Sequence, residues 1–218
     1  MGTLGKVGTG GKMGEKGKVG AEIMAATQQE PVSYFLHVGS GPKNPKKIPA
    51  AFQGPQWREI RLDIDPKVAP DIIGDIRAMP AAETARFDAL YSSHNLEHLY
   101  PHEAPLALAE FLRVIKPGGH ALVTCPDLQA VAAHIAQGNL TQPVYQSPAG
   151  PISPLDILYG HRPSLARGNL YMAHRTGFIA STLAQAMAQA GFVDIQVTRR
   201  DAPYFDLWAQ GRRPAGGV

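Results

Sequence analysis

The sequence predicts an α/β fold: a Rossmann-like, doubly wound and mostly parallel sheet with a C-terminal antiparallel hairpin. Three observations carry this expectation. Leu36-His37-Val38-Gly39-Ser40-Gly41 reads as a strand running into a Gly-x-Gly turn, and glycine lets a backbone come close to a ligand. About twenty residues later, Arg61-Leu62-Asp63-Ile64-Asp65-Pro66 reads as a second strand ending in carboxylates, and a carboxylate there can accept both hydroxyls of a ribose. From residue 32 onward, strand-like and helix-like segments alternate. That alternation argues for a parallel sheet with helices on both faces and ligands at the C-terminal strand ends, where the strand order reverses.

Taken in order, Ser33–Val38 is strand 1, Glu59–Asp63 strand 2, Asp71–Asp75 a short strand 3 and Phe87–Ser92 strand 4. Leu108, Leu112 and Ile115 recur at helical spacing, so Glu103–Ile115 is a helix, with Pro105 tolerated in its first turn. Pro117-Gly118-Gly119 stops that helix and leads into strand 5, His120–Cys125. Leu128–Gln137 is helical, with Asp127 placed to cap it. Gln142–Leu170 is rich in Pro and Gly, shows no periodicity and reads as a long loop or lid, an insertion at about 140–175. Ile179–Ala190 is a helix closed by Gly191, and Asp194–Thr198 with Tyr204–Ala209 reads as a hairpin.

Composition bounds the function. A chain of 218 residues, 44% apolar and 18% charged, suits one domain with a sizeable core. Met1–Gly20 holds eight glycines, four lysines and one glutamate; residues 1–30 read as a disordered Gly/Lys-rich tail and 31–210 as the folded domain. Outside those twenty residues the chain has 17 basic and 17 acidic side chains, so the net charge of +3 belongs to the tail. The domain lacks the overall basic bias of a nucleic-acid binder. No run of about eighteen apolar residues is present, so no membrane span is expected. The absence of an apolar N-terminal core and the single Cys125 fit a cytoplasmic protein.

Four elements occur in order: Val38-Gly39-Ser40-Gly41; Leu62-Asp63-Ile64-Asp65; Gly74-Asp75-Ile76; and Phe87-Asp88-Ala89-Leu90 through Leu96-Glu97-His98 to Lys116-Pro117-Gly118-Gly119. With them, residues 34–209 resemble the class I S-adenosylmethionine-dependent methyltransferases, the small stand-alone branch with Leu-Glu-His and Lys-Pro-Gly-Gly elements. The resemblance implies S-adenosyl-L-methionine as cofactor. It places the turn His37, Gly39, Ser40 and Gly41 under the methionine part, Asp63 and Ile64 at the ribose, Asp75 and Ile76 at the adenine, and Ser92, Ser93 and His94 beside the methyl group. One departure stands out. Relatives continue from the glycine turn into a helix, whereas Pro42, Pro45 and Pro49 disfavour one here. Helix-dipole support for an anion is then weak, and Lys43, Lys46 or Lys47 becomes the substitute cation for the methionine carboxylate.

Competing readings are few. His94-Asn95-Leu96-Glu97-His98 matches the inverted zinc-peptidase pattern. Such enzymes need a further ligand, commonly a downstream glutamate, and none follows Glu110; Pro101 also leaves little room for a helix. No metal ligands are therefore assigned. An NAD-dependent oxidoreductase would use the same turn and Asp63, yet position 44 is Asn where the third glycine belongs. Nucleic-acid base methylation needs other residues at the end of strand 4 than Ser92-Ser93-His94-Asn95. A non-catalytic module binding S-adenosylmethionine or S-adenosylhomocysteine is the remaining alternative. The acceptor is expected to be a small molecule with a nucleophilic O or N. His94, His98 and His174 are the candidate bases, since neutral imidazole takes a proton near pH 7.

Overall fold

The structure is a computed structural model describing residues 1–3, 31–200 and 202–216. The tail expected over residues 1–30 lies almost wholly outside the described residues. The architecture below is that of the unit Val32–Val218. No described helix is long and apolar enough to cross a membrane.

The strands are β1 (Ser33–Val38), β2 (Trp57–Asp63), β3 (Ile72–Ile73), β4 (Phe87–Ser93), β5 (Ile115–Pro126), β6 (Tyr145–Ser147), β7 (Gly150–Ile152), β8 (Val193–Arg200) and β9 (Asp206–Arg212). The helices are α1 (Ala104–Val114), α2 (Leu128–Ala136), α3 (Pro154–Tyr159), α4 (Arg162–Ala166) and α5 (Ala180–Gln189). Seven strands form one sheet in the order β3-β2-β1-β4-β5-β9-β8, and β6 pairs with β7 in a separate ribbon. Strands β1 to β5 pair parallel, while β9 runs antiparallel to both β5 and β8. The strand order reverses between β1 and β4.

Side-chain alternation in the strands sorts two layers. On one face Leu36, Val38, Leu62 and Leu90 pack with Leu108, Phe111 and Val114 of α1 and with Leu183 and Met187 of α5. The α1 positions Ala104, Ala107, Leu108, Phe111 and Val114 are buried at helical spacing. On the other face Phe35, Ala89 and Tyr91 meet Ile48 and Phe52 from the β1–β2 connection, with Trp57 and Leu122 against them. Two 3-10 turns, Pro45–Lys47 and Ala50–Phe52, take the place of a helix in the β1–β2 connection, as the prolines predict. Their cover is aromatic: Phe52 stacks on Phe35 at 4.8 Å between ring centroids and on His120 at 5.8 Å.

Strand β5 starts five residues before the predicted His120, because Ile115 pairs with Phe87 and the ladder resumes at Ala89–His120 across a bulge. Gly119 passes so close to the Asp88 carbonyl that a Cβ would lie 2.5 Å from it, so Pro117-Gly118-Gly119 makes an irregularity inside the strand rather than a turn before it. The segment read as a loop over Gln142–Leu170 carries β6, β7, α3 and α4. These pieces are three to six residues long, too short for periodicity to register. They fold around a third apolar cluster in which Ile152 and Ile157 meet Val131 of α2. Cys125 is buried, and Asp127 caps α2 by accepting from the Gln129 amide at 3.0 Å.

Candidate functional site

A cavity of about 850 Å³ opens at the C-terminal edge of the sheet, across the β1–β4 reversal. Its wall includes Gly39, Gly41, Asp63, Ile64, Asp75, Ile76 and His94, together with His98 and His174. Residues of the 145–176 segment, among them Tyr145, Asp156, His161 and Tyr171, close the opposite side, and Tyr204 and Phe205 before β9 complete it. His37, Ser40, Ser92 and Ser93 do not line it. His37 lies on the aromatic face of β1, with Nδ1 2.6 Å from Glu59 and its ring over Tyr91. Ser92 is fully buried and accepts from Asn95 Nδ2 at 3.2 Å. The Ser93 hydroxyl stands 3.2 Å from that of Thr124. Lys43, Lys46 and Lys47 are exposed and also stay out of the cavity wall.

Long-range side chains hold the glycine turn in the absence of a following helix. Asp63 Oδ2 accepts from the Gly41 amide at 2.7 Å, and its Oδ1 accepts from the Asp65 amide at 2.9 Å. Arg61, buried in β2, donates to the carbonyls of Gly41, Val68 and Ala69, tying the turn to the loop after β2. Asn95 Nδ2 donates to the Val38 carbonyl at 3.0 Å. Neither Arg61 nor Asn95 was singled out from the sequence; their partners lie across strands, and only the polarity of Arg61 inside a strand hinted at a role. Asp75 is already paired: Arg77 donates to both of its oxygens and also reaches Glu103. Arg77 holds the Asp75 carboxyl below the usual carboxylate range despite partial burial.

The three candidate histidines gather around Glu97. This carboxylate is 1% exposed, in the 3-10 turn Leu96–His98 that follows β4. Burial opposes its charge, but His94, His98 and His174 outweigh that and hold its pKa below the ordinary value. His94 Nδ1 lies 3.1 Å from Glu97 Oε1, and its Nε2 lies 3.8 Å from Asp206 Oδ2 on β9. Burial alone would depress this imidazole; Asp206 and Glu97 overcome it and raise the pKa to about 9. At neutral pH His94 is thus an imidazolium, a proton donor. His174 moves the other way, pushed down chiefly by burial, so it is neutral at pH 7. His94 has φ +55° and the segment beyond it is a single 3-10 turn, so His94 and His98 are not stacked on one α-helix as the inverted zinc-peptidase pattern demands. Asp206 carried no sequence signal, since only β9 lying beside β5 brings it here.

Residues 36–123 match the family model of the methyltransferase domain. The fold is similar to that of a Methanosarcina mazei S-adenosylmethionine-dependent methyltransferase, at 12% identity and a TM-score of 0.55, over 86% of this chain and 95% of that one. It is also similar to Burkholderia thailandensis 1,6-didemethyltoxoflavin-N1-methyltransferase, bound to its substrate and S-adenosylhomocysteine, at 16% identity and a TM-score of 0.52, over 84% and 72% of the two chains. A possible exported protein from Bordetella parapertussis, 18% identical with a TM-score of 0.53, is matched over 85% of this chain; the chain spans only 63% of that protein's length. None of the curated protein sequences compared matches it. The family-model match spans residues 36–123 of the 218, and the fold is similar to that of these solved methyltransferases.

Proposed function

We propose that this chain is a class I S-adenosylmethionine-dependent methyltransferase, which moves the methyl group of S-adenosyl-L-methionine, its cofactor, to a nucleophilic oxygen or nitrogen of a small acceptor, in the cytoplasm. The observation that carries the reading is the two-sided cavity: the Gly39–Gly41 turn and the carboxylates Asp63 and Asp75 on one side, the 145–176 segment on the other. Its volume falls within the ~300–1,000 Å³ of small-molecule sites. In this reading residues 31–210 form the cofactor domain, and 140–175 is the insertion that selects the acceptor. Asp63 accepts the ribose hydroxyls through lone pairs left free by its two backbone donors. The methionine part lies along Gly39, Ser40 and Gly41, over the base of strand β1 that His37 braces. Asp75 and the Ile76 amide face the adenine, and Ser92 and Ser93 support His94 beside the methyl group.

On its cofactor side the pocket presents the carboxylates Asp63 and Asp65, which favour a cationic cofactor. The protein's part in the transfer is to hold two reactants in line. A non-catalytic module binding the same cofactor would keep the Asp63 side of the cavity but has no use for three histidines opposite it.

Calorimetry and thermal shift with S-adenosylhomocysteine test the reading. A ligand at a hundred times its Kd stabilises by about 2.7 kcal/mol, a melting rise of about 5–10 °C in a domain of this size. Asp63→Ala is expected to abolish most of that rise while the apo protein stays folded. The same rise with NAD⁺ and none with S-adenosylhomocysteine would overturn the proposal. Binding without methyl transfer across an acceptor screen would favour the non-catalytic module.

A further inference from the structure

Glu97, His98 and His174 each offer one ligand atom, and the three atoms lie within 4.8 Å of one another. We propose that these residues form a divalent-cation site on the floor of the cavity, one that binds the acceptor through an oxygen. The proposal rests on the methyltransferase reading for its acceptor, but not for the cation.

Three independent features support the site. The first is tautomer. His98 Nδ1 lies 3.2 Å from the Ala173 carbonyl and His174 Nδ1 lies 2.7 Å from the Ile157 carbonyl. A carbonyl can only accept, so both Nδ1 atoms carry the proton and both Nε2 atoms present lone pairs. Backbone carbonyls orient metal-binding histidines in this way. The second is an orphan. Glu97 Oε2 is buried and has no hydrogen-bond partner, although its sister Oε1 meets His94. An ionised carboxylate oxygen left bare in a buried setting costs free energy unless something cationic completes it. The third is the backbone brace. The Glu97 carbonyl accepts from the Arg175 amide at 2.8 Å and the Thr176 amide at 3.2 Å, and Arg175 donates to the His98 carbonyl. These bonds clip the loop bearing His174 onto the turn bearing Glu97 and His98, so the set does not depend on chance rotamers.

Two imidazoles and a carboxylate suit zinc, manganese, cobalt or iron in the divalent state better than magnesium or calcium, which prefer all-oxygen shells. Three protein ligands leave coordination positions open, and all three residues line the cavity. The acceptor class this selects is a small molecule with a hydroxyl or enol oxygen, above all one able to chelate. A hydroxyl coordinated there gives its proton to solvent water more readily. Its oxygen lone pair forms the new bond to the methyl carbon, and the electrons of the broken C–S bond stay on sulfur. The set is distinct from the inverted zinc-peptidase pattern: His94 is outside it, engaged with Glu97 Oε1 and Asp206.

The test is a titration of Zn²⁺, Mn²⁺ and Co²⁺ into tag-free, chelator-treated full-length protein, by calorimetry and by Co²⁺ visible absorption. One equivalent bound, with a Co²⁺ spectrum of nitrogen and oxygen ligands, is expected. His174→Ala and Glu97→Gln should each weaken binding at least about a hundredfold, whereas His102→Ala, at the surface, should not. S-adenosylhomocysteine affinity, measured on every variant, checks folding and separates the two proposals. Cation binding without S-adenosylhomocysteine binding would keep the site and remove its acceptor role. Absence of stoichiometric binding in a wild type that does bind S-adenosylhomocysteine, or equal affinity in a folded His98→Ala/His174→Ala variant, would overturn the site.

Discussion

Gly39 and Asn95 share one space: a Cβ built on Gly39 would lie 1.8 Å from Asn95 Oδ1, while Asn95 Nδ2 holds the Val38 carbonyl just before the turn. Gly39 also has φ +56°, in the left-handed region. Gly39→Ala must therefore displace the amide that fixes the turn. It is expected to destabilise by about 2–4 kcal/mol, from clash and backbone strain together. Because the two residues meet directly, Gly39→Ala/Asn95→Ala should be less damaging than the sum of the single variants. Urea denaturation of the four proteins decides it; strict additivity would show that the turn relaxes away from Asn95.

Arg61 ties the glycine turn to the loop after β2. Its guanidinium spans the carbonyls of Gly41, Val68 and Ala69 from a position only 6% exposed. Removing it leaves three carbonyls short of a donor. Arg61→Met should cost about 2–4 kcal/mol and lower S-adenosylhomocysteine affinity at least about tenfold. Arg61→Lys should recover little, because one ammonium cannot reproduce the planar fork. Full recovery by lysine, read by melting temperature and calorimetry, would contradict the geometric role.

Asp156 in α3 makes the insertion sensitive to acid. Burial raises its carboxyl, but Arg162 at 2.8 Å and the Ser153 hydroxyl and amide outweigh this and carry it well below the usual carboxylate range. A depressed folded pKa gives stability that is present above the unfolded value, near ~3.9, and lost as pH falls toward the folded one. Asp156→Asn should thus melt lower than wild type at pH 7, with the gap closing as pH drops below about 4. A gap independent of pH would show that the pair with Arg162 contributes only through shape.

What the sequence revealed was local. Strand β1 and the carboxylate of Asp63 were legible because the strand, the turn and the acid each announce themselves within a few residues. The hairpin β8–β9 was legible as a hairpin. Its place was not: nothing local says that Asp206 will lie near His94, or that β9 will sit between β5 and β8. The same limit applies at Glu97. The Leu-Glu-His element was visible, and His174 was singled out, but their meeting depends on amides of Arg175 and Thr176 finding a carbonyl far back in the chain. Over 142–170 the elements existed but were shorter than the window in which periodicity can be recognised. Where Pro42, Pro45 and Pro49 ruled out a helix, the sequence did not say what would cover the sheet; Phe52 stacked on Phe35 and His120 supplies the answer.

The order β5-β9-β8 sets a schedule for synthesis on the ribosome. Strands β1 to β5 can assemble as soon as residue 126 has emerged, yet β5 then exposes an unpaired edge over His120–Pro126, the stretch that β9 later covers. Strand β8 appears next but cannot cover it, because β9 belongs between them. The edge stays open until residues 206–212 have been made, some eighty residues later at about 5–20 residues per second. For those seconds the nascent chain carries its most adhesive surface, apolar and hydrogen-bond-hungry, into a crowded cell. Chaperone demand during translation, rather than the stability of the finished protein, is where this topology exacts its toll.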